Sequence, residues 1–399
     1  MRVAELIACH VRIPLKKTIR HASFTRDEND SLIVCCRLAD GTSGWGEGLP
    51  REYVTGETID TAFAQLRSTD WRQLLPGEAA DLPAAVKMCA GMRLADAGLS
   101  GKRDCFGNAA RCAVEIALLD AFCRRVGQPL SAVTGAVPES LAIRRKQARV
   151  RYSGAWTPSS RPSRIKDLLG CWKLKVFGFH QGKVKVGVEG YDDALSVGRL
   201  RRVMGPVFDI RVDANEAWRC DNLEQKLAPL VRLGITAVEQ PVPHAEVDGL
   251  AAIRPRLAVP IMLDESLCSL ADGRRAIERG TCDLFNIRLS KCGGLIPSLK
   301  LAAMAHTAGI GYQLGCQVGE TGILSAAGRH FACSVGGIRY LEGSFDRFLV
   351  RERLTVEDLT FGYRGWAPEL TKPGLGIEID SRALARVTLH EERFTLASN

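Results

Sequence analysis

A chain of 399 residues, 46% hydrophobic and 25% charged, is long enough for two domains and too apolar to be disordered. Residues 1–11 include Glu5 and lack a long apolar core, and no charge-free run reaches membrane-spanning length; neither a signal peptide nor a membrane partner is expected, and the cytoplasm is the expected compartment. The net charge of +9 owes much to residues 144–175, a segment without interleaved aromatics or a nucleic-acid module, so it suits attraction of an anionic substrate and not nucleic acid.

Taken in chain order, residues 3–13 and 32–38 alternate as strands. The second run enters an Asp40-Gly41 turn and then Gly44-Trp45-Gly46-Glu47-Gly48, which predicts an antiparallel meander. The spaced glycines resemble half a dinucleotide fingerprint, but no helix opens after them and Pro50 follows. Helical patterns come next at 56–66, 82–94 and 108–126, the last with Ala113, Ile116, Ala117, Asp120 and Ala121 on one face. Strands followed by helices predict an α+β domain over residues 1–138.

From about Leu141 the pattern becomes a βα alternation. Strand-like runs recur at 150–152, 184–186, 208–212, 236–238, 259–263, 284–287, 310–314 and 338–341. Helical segments separate most of them; the one beginning near Ser163 carries Ile165, Leu168, Leu169, Trp172 and Val176 on one stripe, read as core-facing. Eight such units predict an α/β fold of the (β/α)8, TIM-like type over residues 139–368, with chemistry at the C-terminal strand ends. An open doubly wound sheet is the alternative, disfavoured in its nucleotide-binding forms by the lack of a glycine-rich phosphate loop. Residues 369–399 return to short strand-like runs such as 376–380 and are expected to complete the first domain. The fourteen cysteines, among them Cys112, Cys123, Cys282 and Cys316, lie in apolar segments without metal-type spacing and are expected to be reduced core thiols.

Within the alternation, Lys183-Val184-Lys185 places two ammonium groups roughly 6 to 7 Å apart on one strand face. Such a pair either faces water on an edge strand or sits inside the fold against balancing acids, where repulsion and burial would lower a lysine pKa towards that of a base. The balancing acids follow. Asp213, Glu239 and Asp264 each close an apolar strand, one βα unit apart, and Lys291 follows the next strand. Each acid alone could be a helix N-cap. Three converging at one barrel rim require a counter-charge, which a hard divalent cation with oxygen preference supplies, Mg²⁺ first and Mn²⁺ as its substitute.

Together, Lys183-Val184-Lys185, Val212-Asp213-Ala214-Asn215, Val238-Glu239-Gln240-Pro241, Leu263-Asp264-Glu265-Ser266 and Lys291-Cys292-Gly293-Gly294 resemble the enolase superfamily, specifically its muconate-lactonizing-enzyme (muconate cycloisomerase) subgroup. The resemblance implies a barrel with an α+β capping domain made from the N-terminal segment and the C-terminal tail, and a homo-oligomer acting on a small-molecule carboxylate. It implies abstraction of the α-proton through a metal-stabilised enediolate, with Lys185 and Lys291 on opposite faces of the α-carbon, Lys183 as helper, and Asp213, Glu239 and Asp264 as metal ligands. Asn215 would support the metal or bind the substrate carboxylate. Capping loops 21–26 and 51–55 would close over the mouth, making Arg26, Arg51 and Tyr53 candidates for the distal group of the substrate, and Glu320 a candidate from the seventh strand end. The reaction implied is that of a cycloisomerase or a racemase/epimerase, with an o-succinylbenzoate-synthase-like dehydratase as the alternative. The Asp-x-Asp that typically holds a dipeptide ammonium near the eighth strand is replaced here by Leu341-Glu342-Gly343-Ser344-Phe345-Asp346. A retired copy kept only for binding should have lost some of the six ionisable residues, and all six are present.

Overall fold

The computed structural model describes residues 1–20, 25–97, 103–158 and 164–396. Strands β1 (Val3–Arg20), β2 (Thr25–Leu38) and β3 (Ser43–Gly48) form the expected meander, each antiparallel to the next. The glycines of β3 serve packing and bind no phosphate. Helix Asn108–Arg125 lies so close to the sheet that a Cβ on Gly46 would come 2.0 Å from the Ala113 carbonyl oxygen, while Cβ atoms on Gly44 and Gly48 would strike the backbone at Ala121 and Ala109. Four helical residues rise about 6 Å and two strand residues about 6.8 Å, so alanines every four positions keep step with glycines every two.

The chain continues with β4 (Arg149–Arg151), β5 (Gly154–Trp156), β6 (Gln181–Lys185), β7 (Asp209–Asp213), β8 (Ile235–Glu239), β9 (Ile261–Leu263), β10 (Leu284–Ile287), β11 (Gly311–Leu314), β12 (Ile338–Leu341), β13 (Trp366–Pro368) and β14 (Thr388–Thr395). Strands β5 to β12 form one parallel sheet in sequence order, and the Ser153 N–H donates to Leu341 O at 2.8 Å, joining β12 to the residue before β5 and curling the sheet into a barrel. The run at 150–152 is not the first barrel strand. It belongs to β4, which pairs antiparallel with β13, and the barrel strand is Gly154-Ala155-Trp156, too short to show an alternation. The tail differs in the same way: β14 pairs with β1, giving the sheet order β14-β1-β2-β3, while 376–380 forms no strand.

Helix Arg164–Phe177 turns the opposite way from expectation, and Ser163 lies outside the described residues. Cys171 and Leu174 are buried and Asp167 accepts from Arg199 Nη1 at 2.8 Å, leaving Ile165, Leu169, Trp172 and Val176 exposed and only Leu168 partly packed. All fourteen cysteines are free, and all but Cys220 and Cys316 are buried. Among the described residues no helix is long and apolar enough to cross a membrane.

Two buried carboxylates fix the N-terminal sheet and helix against the barrel. Glu47 of β3 accepts from the backbone N–H groups of Thr321 and Leu324 and from Thr321 Oγ1, at the start of helix Gly322–Ser334. Glu115 accepts from the Ile296 N–H at 3.3 Å, at the start of helix Leu295–Thr307. A carboxylate at a helix N-terminus meets unpaired N–H groups and the positive end of the helix dipole.

Candidate active site

The register of the barrel strands aligns the ends from which the site is built. Lys185 lies opposite Asp213, Asp213 opposite Glu239, and Glu239 opposite Met262, two residues before Asp264. Strand alternation turns Lys183 inward and Val184 outward among the helices, where Val184 is fully buried. Lys183 Nζ stands 3.3 Å from Asp213 Oδ2, 3.2 Å from Glu239 Oε1 and 3.0 Å from Glu342 Oε2. Arg288 Nη2 lies 3.5 Å from Glu239 Oε1 and contacts Asp264 Oδ2. Lys291 Nζ is 2.8 Å from Asp264 Oδ1 and donates to the carbonyl oxygens of Asp264 and Leu267. All three expected carboxylates, with Lys183 and Lys291, therefore belong to one buried ionic cluster.

Burial, together with the charges of Asp213, Glu342 and Asp264, pushes the Glu239 carboxyl up to about 8 against the pull of Lys183. Burial opposes ionisation of Asp264 too, but Arg288 and Lys291 outweigh it and hold that carboxyl down at about 2. The middle acid of the set thus lacks enough positive charge to ionise fully. Among the described residues no three acidic, histidine or cysteine side chains close around one point as placed, because each carboxylate turns to a cation. The donor set nevertheless fits a hard dication: three carboxylates on consecutive strand ends, all oxygen, linked through shared cations and deficient in positive charge.

The lysines do not behave as expected of a repelling pair. Burial disfavours the Lys183 ammonium, yet Glu239, Glu342 and Asp213 outweigh it and raise its pKa well above the usual value. Burial likewise opposes charge on Lys291, and Asp264 more than compensates. Lys183 is thus the counter-ion of the acid cluster, and Lys185 is separately engaged, its Nζ donating to Asn215 Oδ1 at 2.7 Å. Asn215 Nδ2 in turn donates to Glu265 Oε1 at 3.3 Å. Asn215 and Glu216 both have positive φ, 43° and 66°, and so does Gln240 after β8, at 35°. Such backbone in non-glycine residues is held by its surroundings and concentrates at functional sites.

The capping candidates separate. Arg51 is buried, and its two terminal nitrogens donate to Asp30 O, Pro50 O, Asn29 Oδ1 and Val318 O, tying the meander to the loop after β11. Tyr53 is half-buried, and burial raises its phenol while the charges of Arg51, Arg26, Arg288 and Glu265 act on it, which places it near the cluster. Arg26 is half-buried with Nη1 3.5 Å from Asn29 Oδ1; residues 21–24 of its loop lie outside the described residues. Glu320 accepts from the Gln317 N–H at 2.6 Å, and burial pushes its carboxyl up to about 8.

Three residues of the cluster escaped the sequence reading. Glu342 closes β12 as the other acids close their strands, so the same rule carried on to the last barrel strand finds it. Arg211 shares a face with Asp213 at i, i+2 and contacts Glu342. Arg288 precedes Lys291 by three residues, a spacing with no strand or helix signature here.

A family model described as "Enolase C-terminal domain-like" matches residues 172–383. The chain is 31% identical over 386 residues to the L-Lys-D/L-Arg epimerase of Methylococcus capsulatus, covering 94% of this chain and 99% of that one. It is 28% identical over 399 residues to the N-succinyl-L-Arg/Lys racemase of Bacillus cereus, covering 98% and 99%. Among solved structures, a dipeptide epimerase from Cytophaga hutchinsonii complexed with Mg and D-Ala-L-Val superposes with a TM-score of 0.81 at 25% identity, over 98% of this chain and all of that one. The fold and the comparisons define an isomerase built on a barrel with an antiparallel capping sheet. The chain belongs to the enolase superfamily.

Proposed function

We propose that this protein is a Mg²⁺-dependent racemase or epimerase that removes and returns the α-proton of an N-acylated amino acid or dipeptide. The observation that carries the reading is the placement of Lys185 and Lys291. Strands β6 and β10 stand four apart in an eight-stranded barrel, so Lys185 at the end of one and Lys291 in the loop that follows the other would approach a substrate in the mouth from opposite sides. One lysine, as the free amine, takes the proton from one face and the other, as the ammonium, delivers a proton to the opposite face, with roles exchanged for the other enantiomer; a dication on Asp264 would offset the negative charge that holds Lys291 protonated. Asp213, Glu239 and Asp264 would hold the Mg²⁺, which supplies positive charge to the substrate carboxylate as the α-carbon loses its proton. Lys183 and Arg288 orient these acids, Asn215 orients Lys185, and Tyr53 with Arg26 covers the mouth. The named activities of the Methylococcus and Bacillus relatives, both on basic amino acids, support a substrate with a cationic side chain.

Exchange of the α-hydrogen in D₂O, followed by ¹H NMR with Mg²⁺ and either L-Lys-L-Arg or N-succinyl-L-arginine, tests the reading. Lys291→Ala should still exchange one enantiomer while losing inversion, and Lys185→Ala should show the opposite preference. Exchange confined to one enantiomer in the wild type would indicate a cycloisomerase or dehydratase, in which a single lysine carries the proton. Exchange that survives loss of both lysines would remove them from the mechanism altogether.

A further inference from the structure

Gln317 has a side chain that neither the fold nor the proposed chemistry employs. The residue is 3% exposed, and neither Nε2 nor Oε1 has a hydrogen-bond partner. An unmatched buried carboxamide destabilises a fold, and a hydrocarbon of similar volume would be better tolerated there. Its position shows what could match it. At the start of the loop after β11, Gly315 lies against the ionic cluster: a Cβ there would come 2.2 Å from Asn286 Oδ1 and 3.1 Å from Arg288 Cγ. At the other end Val318 O accepts from Arg51 and Gly319 O accepts from Asn29 Nδ2 at 3.1 Å, so residues 318 and 319 lie under the capping meander. Gln317 sits between floor and cover, and its own N–H is fixed by Glu320.

We propose that Gln317 binds the amino-terminal residue of a dipeptide substrate, Nε2 donating to that residue's carbonyl oxygen and Oε1 accepting from its α-ammonium. In extended backbone the nitrogen and the carbonyl oxygen of one residue point to the same side, the geometry by which paired antiparallel residues exchange two hydrogen bonds. A side-chain carboxamide offers the matching acceptor and donor side by side. A diacid brings acceptors only, leaving Oε1 unmatched, and an N-succinyl group lacks the ammonium. The inference rests on the proposed α-proton chemistry at the same mouth and narrows its substrate to a peptide.

Calorimetric titration with Mg²⁺ present, using L-Lys-L-Arg and the same compound lacking its α-amino group, tests the assignment in wild type and Gln317→Leu. The amino group should strengthen wild-type binding about tenfold, and the variant should bind both compounds alike. The Leu variant should also melt higher without ligand, and for epimerisation its KM should rise about tenfold with kcat changed far less. An equal penalty for losing the amino group in both proteins overturns the proposal, as does a wild type that binds no dipeptide. Should Gln317→Leu fail to fold, Gln317→Met carries the same comparison. Discrimination that depends on Gln317 without α-hydrogen exchange would sink the proton-transfer reading and leave this one standing; exchange with an equal penalty would do the reverse.

Discussion

Glu239 is the residue on which the site's electrostatics turn. It is fully buried, accepts from Asn286 Nδ2 at 2.8 Å and shares Lys183 with two other acids. Glu239→Gln keeps the shape and removes one of three anionic ligands, so Mg²⁺ affinity measured by calorimetry should fall at least tenfold and turnover should cease. The melting temperature without added metal should hold or rise, because the substitution removes an acid that the cluster cannot fully ionise. Undiminished Mg²⁺ affinity would take Glu239 out of the ligand set. At this scale the sequence was informative wherever a charged residue interrupts an apolar strand: Asp213, Glu239, Asp264 and Lys183 were all visible that way. The burial of Arg51 was not visible, because a cation in a loop carries no mark of it and its acceptors include Asn29 and Asp30 of the meander and Val318 far along the chain.

Elements were legible where their apolar pattern is long. Helix Asn108–Arg125 was found at its full length, within the expected 108–126, but the reason for its alanines appears only when Gly44, Gly46 and Gly48 are seen against them. That contact makes a sharp prediction. Gly46→Ala places a methyl group inside the Ala113 backbone and should cost about 3 kcal/mol or more in urea denaturation, whereas Gly41→Ala, in open space but at a φ of 87°, should cost only about 1 to 2 kcal/mol. Equal costs would mean the helix moves away freely. Helix Arg164–Phe177 was assigned the wrong inner face because its apolar residues occupy two stripes, and the stronger one faces solvent. Ile165→Lys and Val176→Lys should therefore shift stability by less than about 0.5 kcal/mol, while Leu174→Ala should cost about 2 to 4 kcal/mol. A large loss from either lysine substitution would restore the original assignment.

Across the whole molecule, the (β/α)8 pattern was readable because seven of the eight strands recur as short alternating or apolar runs at a regular spacing; the eighth, β5, is three residues long and follows a decoy. The placement of charge was not readable. Arg149 and Arg151 of β4 stack on Trp366 at 4.4 and 5.4 Å, before the N-terminal end of β5 and thus at the opposite end of the barrel from the mouth, so they are poorly placed to steer a substrate. Long-range assembly instead depends on buried polar contacts such as His330. This ring, on helix Gly322–Ser334, accepts from the Ser131 N–H at Nδ1 (3.3 Å) and faces Leu375 O with Nε2 (3.1 Å), joining barrel, capping segment and tail. Both contacts are satisfied only by the neutral ring protonated at Nε2. Burial, with Arg329 acting in the same direction and the Leu375 carbonyl opposing, lowers its pKa to about 4. The unfolded chain titrates near 6.5, so between those values the unfolded state binds the proton that the folded state refuses, and stability falls as pH falls through this window. The full loss is about 3 kcal/mol. Glu47 and Glu57, both raised to about 7 chiefly by burial, work in the opposite sense, their contribution present below about 4.5 and lost as pH rises through 7. A comparison with His330→Gln cancels them, because both proteins carry them. The stability difference between wild type and His330→Gln, from urea denaturation at a series of pH values, should be constant above pH 7 and shrink by up to about 3 kcal/mol towards pH 4. A difference that stays flat would mean that His330 takes up its proton in the folded chain, and that the three segments it joins accommodate a charge at their common contact.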